Sequence, residues 1–289
     1  MAYDADSLIR FMLPKTSTRG VIIRGNHIAA AACKIHGLNH EVGELFIQTL
    51  LASILLLSVN KGGVRQVLQL DAQNNQNTPI QRILSEARAG AVRGYINWKE
   101  ESILQRSEQP HHQNNIAEWM GVPVHVSTVR DLGIDQPYIS TIESDHTFLA
   151  DHINHYLAQS VQTRADVVLI DKTAIMLEAM PGCSDDDWFE SVEALAKITS
   201  NEIVHDDPET VMLRGFAAQQ CHLLGHDHYR YQCQCSEQKM RAIFESMDIA
   251  QLQSMQDSDG FISISCQYCE QSFRMNVGHC QAQESHREQ

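Results

Sequence analysis

The stretch CQCSEQKMRAIFESMDIAQLQSMQDSDGFISISCQYC, residues 233–269, decides how the rest of the chain is interpreted. It opens with Cys233 and Cys235, closes with Cys266 and Cys269, and places 30 residues between the two pairs. Two cysteine pairs at such a separation are the ligand arrangement of a four-thiolate zinc site. The sequence therefore predicts one zinc ion per chain, bound by these four cysteines in their reduced form. A free dithiol or another metal is the alternative.

The residues between the pairs carry the signals of a small folded unit. Ser236 is placed to cap a helix with apolar residues at helical spacing, and residues 260–265 alternate as a strand does. Such a strand delivers the second cysteine pair to the first. Four thiolates close the coordination sphere, whereas catalytic zinc keeps one position open for water. The pattern thus indicates a structural or regulatory site, and no catalytic residue is predicted.

The remaining cysteines and two histidine pairs are interpreted as having no functional role. Cys33 lies in an alanine-rich helix and is interpreted as a small core residue. Three further cysteines have no partner at ligand spacing and are interpreted as bystanders: Cys183, Cys221 and Cys280. The pair His279-Cys280 is nevertheless near enough to the zinc motif in sequence to supply a substitute ligand. Two histidine pairs are interpreted as solvated loop residues: His111-His112 and His226 with His228.

Composition limits the class of protein. The chain has 289 residues, 43% hydrophobic and 20% charged, which is normal for a soluble globular protein, and its net charge of −14 argues against a nucleic-acid partner. The N-terminus lacks the pattern of a signal peptide, and the apolar run 50–59 is interpreted as a buried core helix, not as a membrane span. We therefore expect a cytoplasmic location, where eight cysteines favour metal or redox chemistry over permanent disulfides.

The distribution of charge predicts three parts. Residues 1–175 hold 15 Lys and Arg against 17 Asp and Glu, residues 176–232 hold 3 against 11, and residues 233–289 hold 4 against 8. A nearly neutral body is thus followed by an acidic linker and a small zinc-binding domain.

The body is predicted to be an α+β domain with mostly antiparallel sheets and packed helices. Helices are predicted over 26–36, which Gly37 is placed to end, and over 42–59. Segments rich in β-branched residues predict the strands 64–70, 91–98, 123–129, 138–142 and 167–170. Between the last two, an apolar stripe from Phe148 to Leu157 predicts a core helix.

The linker is predicted to be helical. Ser184 is placed to cap a helix with three aspartates in its first turn, and Pro208 lies near the start of another. Trp188, Val192, Leu195 and Ile198 give the first helix an apolar face, and Met212, Leu213 and Phe216 do so for the second. No strand partner for these acidic amphipathic helices is visible in the sequence.

The pattern Cys-x-Cys, about thirty residues and Cys-x-x-Cys resembles that of the bacterial 33 kDa redox-regulated chaperones, the heat-shock protein 33 family. The likeness extends over the chain at weaker motifs: Ser7 to Phe11, Arg19-Gly20, Arg93-Gly94 and Met176 to Gly182. Residues 71–77 depart from the glycine-rich turn that the family carries after its first long strand, and 171–173 form a shortened connection. Both departures lie away from the cysteines.

The resemblance implies an ATP-independent holding chaperone and not an enzyme. According to this resemblance, the reduced, zinc-bound protein is an inactive monomer with a metastable linker. Peroxide with heat, or hypochlorous acid, pairs Cys233 with Cys235 and Cys266 with Cys269. Zinc then leaves, tail and linker unfold, and a homodimer with exposed apolar surface binds unfolded or oxidatively damaged client proteins. A zinc-ribbon nucleic-acid module and a thiol-disulfide oxidoreductase remain as alternatives.

Overall fold

The chain divides into two compact units, Met1–Gln232 and Cys233–Gln289. A computed structural model describes residues 5–38, 40–59, 64–73, 78–99, 115–133 and 136–276.

Ten strands of the first unit form one sheet in the order β7-β6-β3-β4-β5-β10-β1-β2-β9-β8. Their bounds are β1 Asp6–Leu13, β2 Thr18–Arg24, β3 Arg65–Ala72, β4 Ile80–Arg88, β5 Ala91–Trp98, β6 Val124–Asp131, β7 Tyr138–Ser144, β8 Ala165–Ile170, β9 Thr173–Ala179 and β10 His222–Tyr231. Neighbouring strands run antiparallel except β5 and β10, which run parallel. The prediction of an α+β fold with mostly antiparallel pairing is confirmed.

Seven α-helices of this unit lie in the described residues. Their bounds are α1 Asn26–His36, α2 His40–Val59, α3 Ile116–Met120, α4 Leu149–Tyr156, α5 Asp185–Ala196, α6 Ser200–His205 and α7 Pro208–Gly215. The first helix matches its predicted bounds and ends as expected, because Gly37 adopts the left-handed conformation with φ of 60°. The predicted core stripe before β8 is helical, although Phe148 at its start is exposed.

Helix α2 forms the centre of the main core. It packs against β3, β4, β5 and β9, and its neighbours include buried residues of α1 and α4. By length and composition, Val42–Val59 is apolar enough to cross a membrane, but 89% of that segment is buried inside the fold. It is a core helix, as the sequence predicts.

The linker helices cover the opposite face of β1, β2 and β9. We call this second core the linker–sheet cluster. Its sheet members are Ile9, Phe11, Leu13, Ile22, Ile175 and Leu177, and its helix members are Trp188, Ala194, Leu195, Ile203, Val211, Met212 and Phe216. The rings of Phe11 and Phe216 stack with centroids 5.3 Å apart. The expectation that these helices have no strand partner is therefore wrong.

Polar contacts also attach the linker helices, some at the margin of the linker–sheet cluster and some inside it. Lys15 forms an ion pair with Glu190 at 2.6 Å, and both side chains are partly exposed. Deeper in, the Ser191 hydroxyl lies 3.1 Å from the Thr18 hydroxyl and donates to Thr16 Oγ1 at 2.8 Å. Because exposed ion pairs contribute only about 0–1 kcal/mol each, apolar packing dominates the attachment of the helices.

Local capping sets where the linker helices begin. The predicted start at Ser184 is confirmed as a capping box with Asp187, and Thr199 with Glu202 forms another. Asp207 caps α7, in which Pro208 is the first residue. The sequence predicts the starts at Ser184 and Pro208 but not the one at Thr199, and Ile198, predicted on the apolar face of the first helix, lies beyond the end of that helix at Ala196.

The last part of the linker is a strand. Residues 222–231 form β10, so His226 and His228 are strand residues and the loop interpretation given to them is wrong. The predicted boundary between body and linker, after residue 175, lies inside strand β9. The linker therefore belongs to the sheet at both of its ends.

Two leucines of the linker provide a matched test of this packing. Leu195 is 2% exposed in the linker–sheet cluster, whereas Leu213 is 48% exposed, so the expectation that both lie on a buried face is wrong for Leu213. Helix α7 has only eight residues, and its buried residues are Val211 and Met212.

We expect Leu195→Ala to lower the free energy of unfolding of the first unit by about 2–5 kcal/mol, because it leaves a cavity. Leu213→Ala should change it by no more than about 0.5 kcal/mol, because the side chain is already solvated. Urea unfolding of reduced protein, followed by tryptophan fluorescence, measures both, since Trp188 reports on the linker helices. Equal losses in the two variants would contradict the packing described.

Candidate metal centre

The second unit is a small fold built around one hairpin. Its elements are α8 Glu237–Glu245, α9 Ile249–Ser254, β11 Phe261–Ser265 and β12 Ser272–Asn276. The helix capped by Ser236 and the strand before the second cysteine pair are both confirmed. Among the described residues of this unit, the buried members of its hydrophobic cluster are Phe244, Leu252, Ile262 and Met275. So small a core stabilises a fold only weakly without a cross-link or a metal.

The four predicted ligands converge on one point of this unit. All four sulfur atoms lie within 4.8 Å of one another, with Cys266 buried and the others half-buried. Cys233 Sγ lies 3.7 Å from Cys266 Sγ, and Cys235 Sγ lies 3.2 Å from Cys269 Sγ. A tetrahedral Zn–S₄ site with bonds of about 2.3 Å separates its sulfurs by about 3.8 Å. The cluster thus fits a metal ion of this size.

A tight turn between β11 and β12 presents the second pair. The Cys266 amide donates to Gln271 O at 2.9 Å, and the Glu270 amide donates to Cys266 O at 2.8 Å. Glu270 takes a positive φ of 58°, which brings the chain round after Cys269. On the other side, the Cys235 amide donates to Cys233 Sγ at 3.4 Å, a contact that favours the charged form of that sulfur.

Two of the four thiols, Cys235 and Cys266, resist ionisation. Desolvation raises the pKa of the Cys235 thiol, and hydrogen bonds with the neighbouring thiols raise it further. Burial likewise raises the pKa of Cys266, with a further contribution from Cys233. Four thiolates in this volume repel one another, and a divalent cation at their centre offsets that repulsion. The donor set of four soft sulfurs fits zinc.

The geometry limits what these cysteines can do. Four protein ligands leave no position open for a substrate or for water, so the centre is suited to holding structure and not to hydrolysis. Cys266 and Cys269 lie in a hairpin turn, whereas a thioredoxin-like Cys-x-x-Cys opens a helix, which lowers the pKa of its first thiol. The arrangement is therefore typical of a closed structural site.

The other cysteines lie in the first unit or outside the described residues. Cys33 packs against the main core, and Cys183 and Cys221 pack half-buried against the linker–sheet cluster. Burial raises the pKa of Cys221 to about 11 and also raises that of Cys33, so neither thiol is activated. Four of the residues considered in the sequence lie outside the described residues: His111, His112, His279 and Cys280.

The described cations of the second unit are engaged with acceptors in the same unit. Arg274 pairs with Asp257 at 3.0 Å, and Arg241 pairs with Glu237 at 3.3 Å. The Lys239 ammonium donates to Gln234 O at 2.7 Å. None of these side chains belongs to a basic patch of the kind that binds a phosphate backbone.

Comparison with known proteins identifies the family of the chain. The family model described as Hsp33 protein matches residues 6–276. The chain belongs to the Hsp33 family. Its members include 33 kDa chaperonins of Trichodesmium erythraeum, 27% identical with 93% of this chain and 90% of the relative covered, and of Desulfotalea psychrophila, 26% identical with 93% and 94% covered. Membership of this family supports a chaperone role.

The same fold is present in a solved Hsp33 homologue. The crystal structure of the 33 kDa chaperonin of Thermotoga maritima superimposes with a TM-score of 0.78 and covers 95% of this chain and 96% of its own. Sequence identity in that alignment is 19%, so the likeness concerns the fold. The fold expected from the resemblance is thereby confirmed.

We expect one zinc ion per chain in protein purified under reducing conditions without chelator. Serine at any one of Cys233, Cys235, Cys266 and Cys269 should remove most of it, because three thiolates hold the ion less tightly and the small core cannot compensate. Elemental analysis together with a thiol titration measures this.

The control replaces Cys33, Cys183, Cys221 and Cys280 together with serine or alanine and should keep the full zinc content. Loss of zinc in that quadruple variant would show that a thiol outside the four-cysteine cluster takes part. Wild-type protein without zinc would contradict the assignment of the metal.

Proposed function

We propose that this Hsp33 protein is a redox-regulated, ATP-independent holding chaperone that is inactive while reduced and zinc-bound. The observation that carries the proposal is the linker–sheet cluster, in which three short acidic helices cover an apolar sheet face. In this account residues 1–175 are the chaperone body, 176–232 the metastable linker and 233–289 the redox switch. A cytoplasmic location keeps the four thiols reduced until an oxidant arrives.

Zinc binding by the four cysteines stabilises the switch unit. Structural zinc contributes on the order of 10–16 kcal/mol in small sites, while whole domains are stable by only about 5–15 kcal/mol. The hydrophobic cluster of the second unit has four buried members, so its folding depends on the metal. Removal of the ligands should therefore unfold the unit.

Oxidation removes all four ligands at once. We assign the disulfides Cys233–Cys235 and Cys266–Cys269 on the basis of the family resemblance. Each disulfide forms from two thiolates, one peroxide and two protons, and two water molecules are released; Zn²⁺ leaves unchanged in oxidation state. In the reduced geometry all four sulfurs lie within 4.8 Å of one another, so the two sulfurs of each motif are already close. A Cys-x-Cys disulfide closes a tight ring and is easily reduced again, which suits a reversible switch.

The linker has little stability of its own once the switch unit unfolds. Helices α5, α6 and α7 have 12, 6 and 8 residues, and isolated helices shorter than about 12–15 residues are marginal in water. The segment 176–232 also holds 11 acids against 3 bases, a self-repulsion that opposes compaction. Unfolding of the switch unit, which follows the linker directly in sequence, then favours release of the helices.

Released helices leave an apolar surface on the sheet. Ile9, Phe11, Ile22, Ile175 and Leu177 are all buried beneath the helices in the reduced fold. Their exposure gives unfolding clients a hydrophobic surface and gives two activated chains a reason to dimerise, while the acidic linker keeps the complexes dissolved. The reduced protein is accordingly proposed to be a monomer.

The two other functions have specific observations against them. A zinc-ribbon nucleic-acid module requires free cations, and the described Lys and Arg of the second unit are engaged with acceptors. A thiol-disulfide oxidoreductase requires an activated thiol, and burial raises the pKa of both Cys235 and Cys266. A salt-dependent mobility shift on RNA or turnover in insulin reduction would revive them.

We expect peroxide at elevated temperature to release one zinc per chain, consume four thiols and produce suppression of client aggregation in the same time course. Reduction with dithiothreitol and zinc should reverse all three. The measurements are zinc released to a chromophoric chelator, thiol titration, and light scattering of a heat-denatured client. Chaperone activity that rises before any zinc is lost would contradict the mechanism.

We expect Leu195→Ala to suppress client aggregation without oxidant, because it weakens the linker–sheet cluster directly. Leu213→Ala is the matched control and should stay inactive until oxidised, since its side chain is exposed. Light scattering with thiol titration checks that all four ligands remain reduced. If the linker of Leu195→Ala is undocked but the protein holds no client, the proposed coupling between linker release and client binding is contradicted. The assignment of the metal site would be unaffected.

A further inference from the structure

Strand β10 is the connection between two halves of the sheet. On one edge it pairs antiparallel with β1 at seven register positions, from Asp6 opposite Tyr229 to Met12 opposite His222. On the other edge it pairs parallel with β5 at only two positions. In the described sheet β5 and β1 are joined through β10 alone. If β10 leaves, both halves gain an open edge.

The side chains of β10 bury little apolar surface, since Tyr229 alone of its ten residues is buried, at 3% exposed. Inner strands of a sheet are ordinarily rich in β-branched and apolar residues, whereas this one reads HLLGHDHYRY. Its polar side chains make partly exposed contacts with β1: Asp227 pairs with Arg10 at 2.5 Å, and His226 Nδ1 lies 3.2 Å from Ser7 Oγ. Because exposed pairs of this kind contribute only about 0–1 kcal/mol each, backbone hydrogen bonds are a large part of the attachment of β10.

The register places polar residues of β10 opposite apolar residues of β1. Asp227 lies opposite Leu8 and His226 lies opposite Ile9, and both of these β1 residues are buried. Cross-strand pairs between apolar residues stabilise a sheet, and these polar partners forgo that contribution. A strand with apolar residues at the two positions would fit this edge better than β10 does.

On the β5 side, residues at the end of β10 form hydrogen bonds with backbone carbonyl groups of β5. The Gln232 amide donates to Val92 O at 2.9 Å. The Tyr231 hydroxyl donates to Gly94 O at 2.7 Å and lies 2.8 Å from His36 Nε2. If β10 leaves, these backbone groups of β5 and the backbone edge of β1 lose their hydrogen-bond partners. An exposed strand edge of this kind can bind an extended chain as an added strand.

We propose that β10 is an internal occupant of a strand-binding slot between β1 and β5, and that in the activated protein an extended segment of an unfolding client, with apolar residues opposite Leu8 and Ile9, takes its place. This inference rests on the proposed function and specifies how a client is bound. Only Gln232 separates β10 from Cys233 in sequence, so unfolding of the zinc unit frees that end of the strand. The β10 strand of a second copy brings the same polar residues and gains no better fit than the resident strand.

A pair of peptides tests the slot on the full-length, peroxide-activated protein. The first has the sequence of residues 222–231 with His226→Val and Asp227→Ile; the second is identical but N-methylated at alternate residues, which removes backbone donors and keeps every side chain. Fluorescence anisotropy of labelled peptides measures binding. We expect the first to bind at least about tenfold more tightly than the second, the effect of losing hydrogen bonds worth about 1.4 kcal/mol in total. Reduced protein should bind neither. Equal affinity of the two peptides would overturn the slot.

Hydrogen exchange with a bound client identifies the occupant. We expect the amides of β1 and β5 to be protected in the client complex while those of β10 exchange freely. Protection of β10 together with β1 would mean that a β10 strand, from the same or a second copy, fills the slot, and would overturn the proposal. Clients held while β1 and β5 exchange freely would overturn the slot and leave the holdase intact. Activated protein that holds no client would instead overturn the proposed function.

Discussion

The packing of three linker helices on the face of β1, β2 and β9 is the interaction on which the proposed function rests. It buries the apolar residues of all three helices, and it hides sheet residues such as Phe11 and Leu177 from water. The main core does not need it, because α2 fills the opposite face with its own buried side chains. The proposed function requires that one layer of the fold be removable without loss of the other.

That asymmetry fits the proposed function, in which an apolar surface is hidden and then exposed. Helices of 6 to 12 residues carry little intrinsic stability, so their order depends on packing against the sheet. In the proposed mechanism, metal binding by the four cysteines is the main source of stability of a unit with a small core, and oxidation of the thiols removes it. Covalent chemistry at four sulfurs would in this way be converted into a change of packing elsewhere in the chain.

Sequence predicts the features that local signals specify. The cysteine cluster follows from spacing alone, and helix starts at Ser184, Pro208 and Ser236 follow from capping residues. Strands β1 and β10 do not follow: the first is buried on both faces and shows no clear alternation, and the second is polar although it lies inside the sheet. The exposure of Leu213 depends on how a short helix is rotated against the sheet, which is decided by tertiary packing.

The most direct test compares amide hydrogen exchange of residues 185–215 in reduced, zinc-loaded protein and in peroxide-treated protein. The account predicts that these amides are protected in the reduced state and lose that protection on oxidation, while amides of β3 and β6 remain protected because α2 still covers their core. Linker amides that stay protected in oxidised protein that suppresses client aggregation would contradict the central claim.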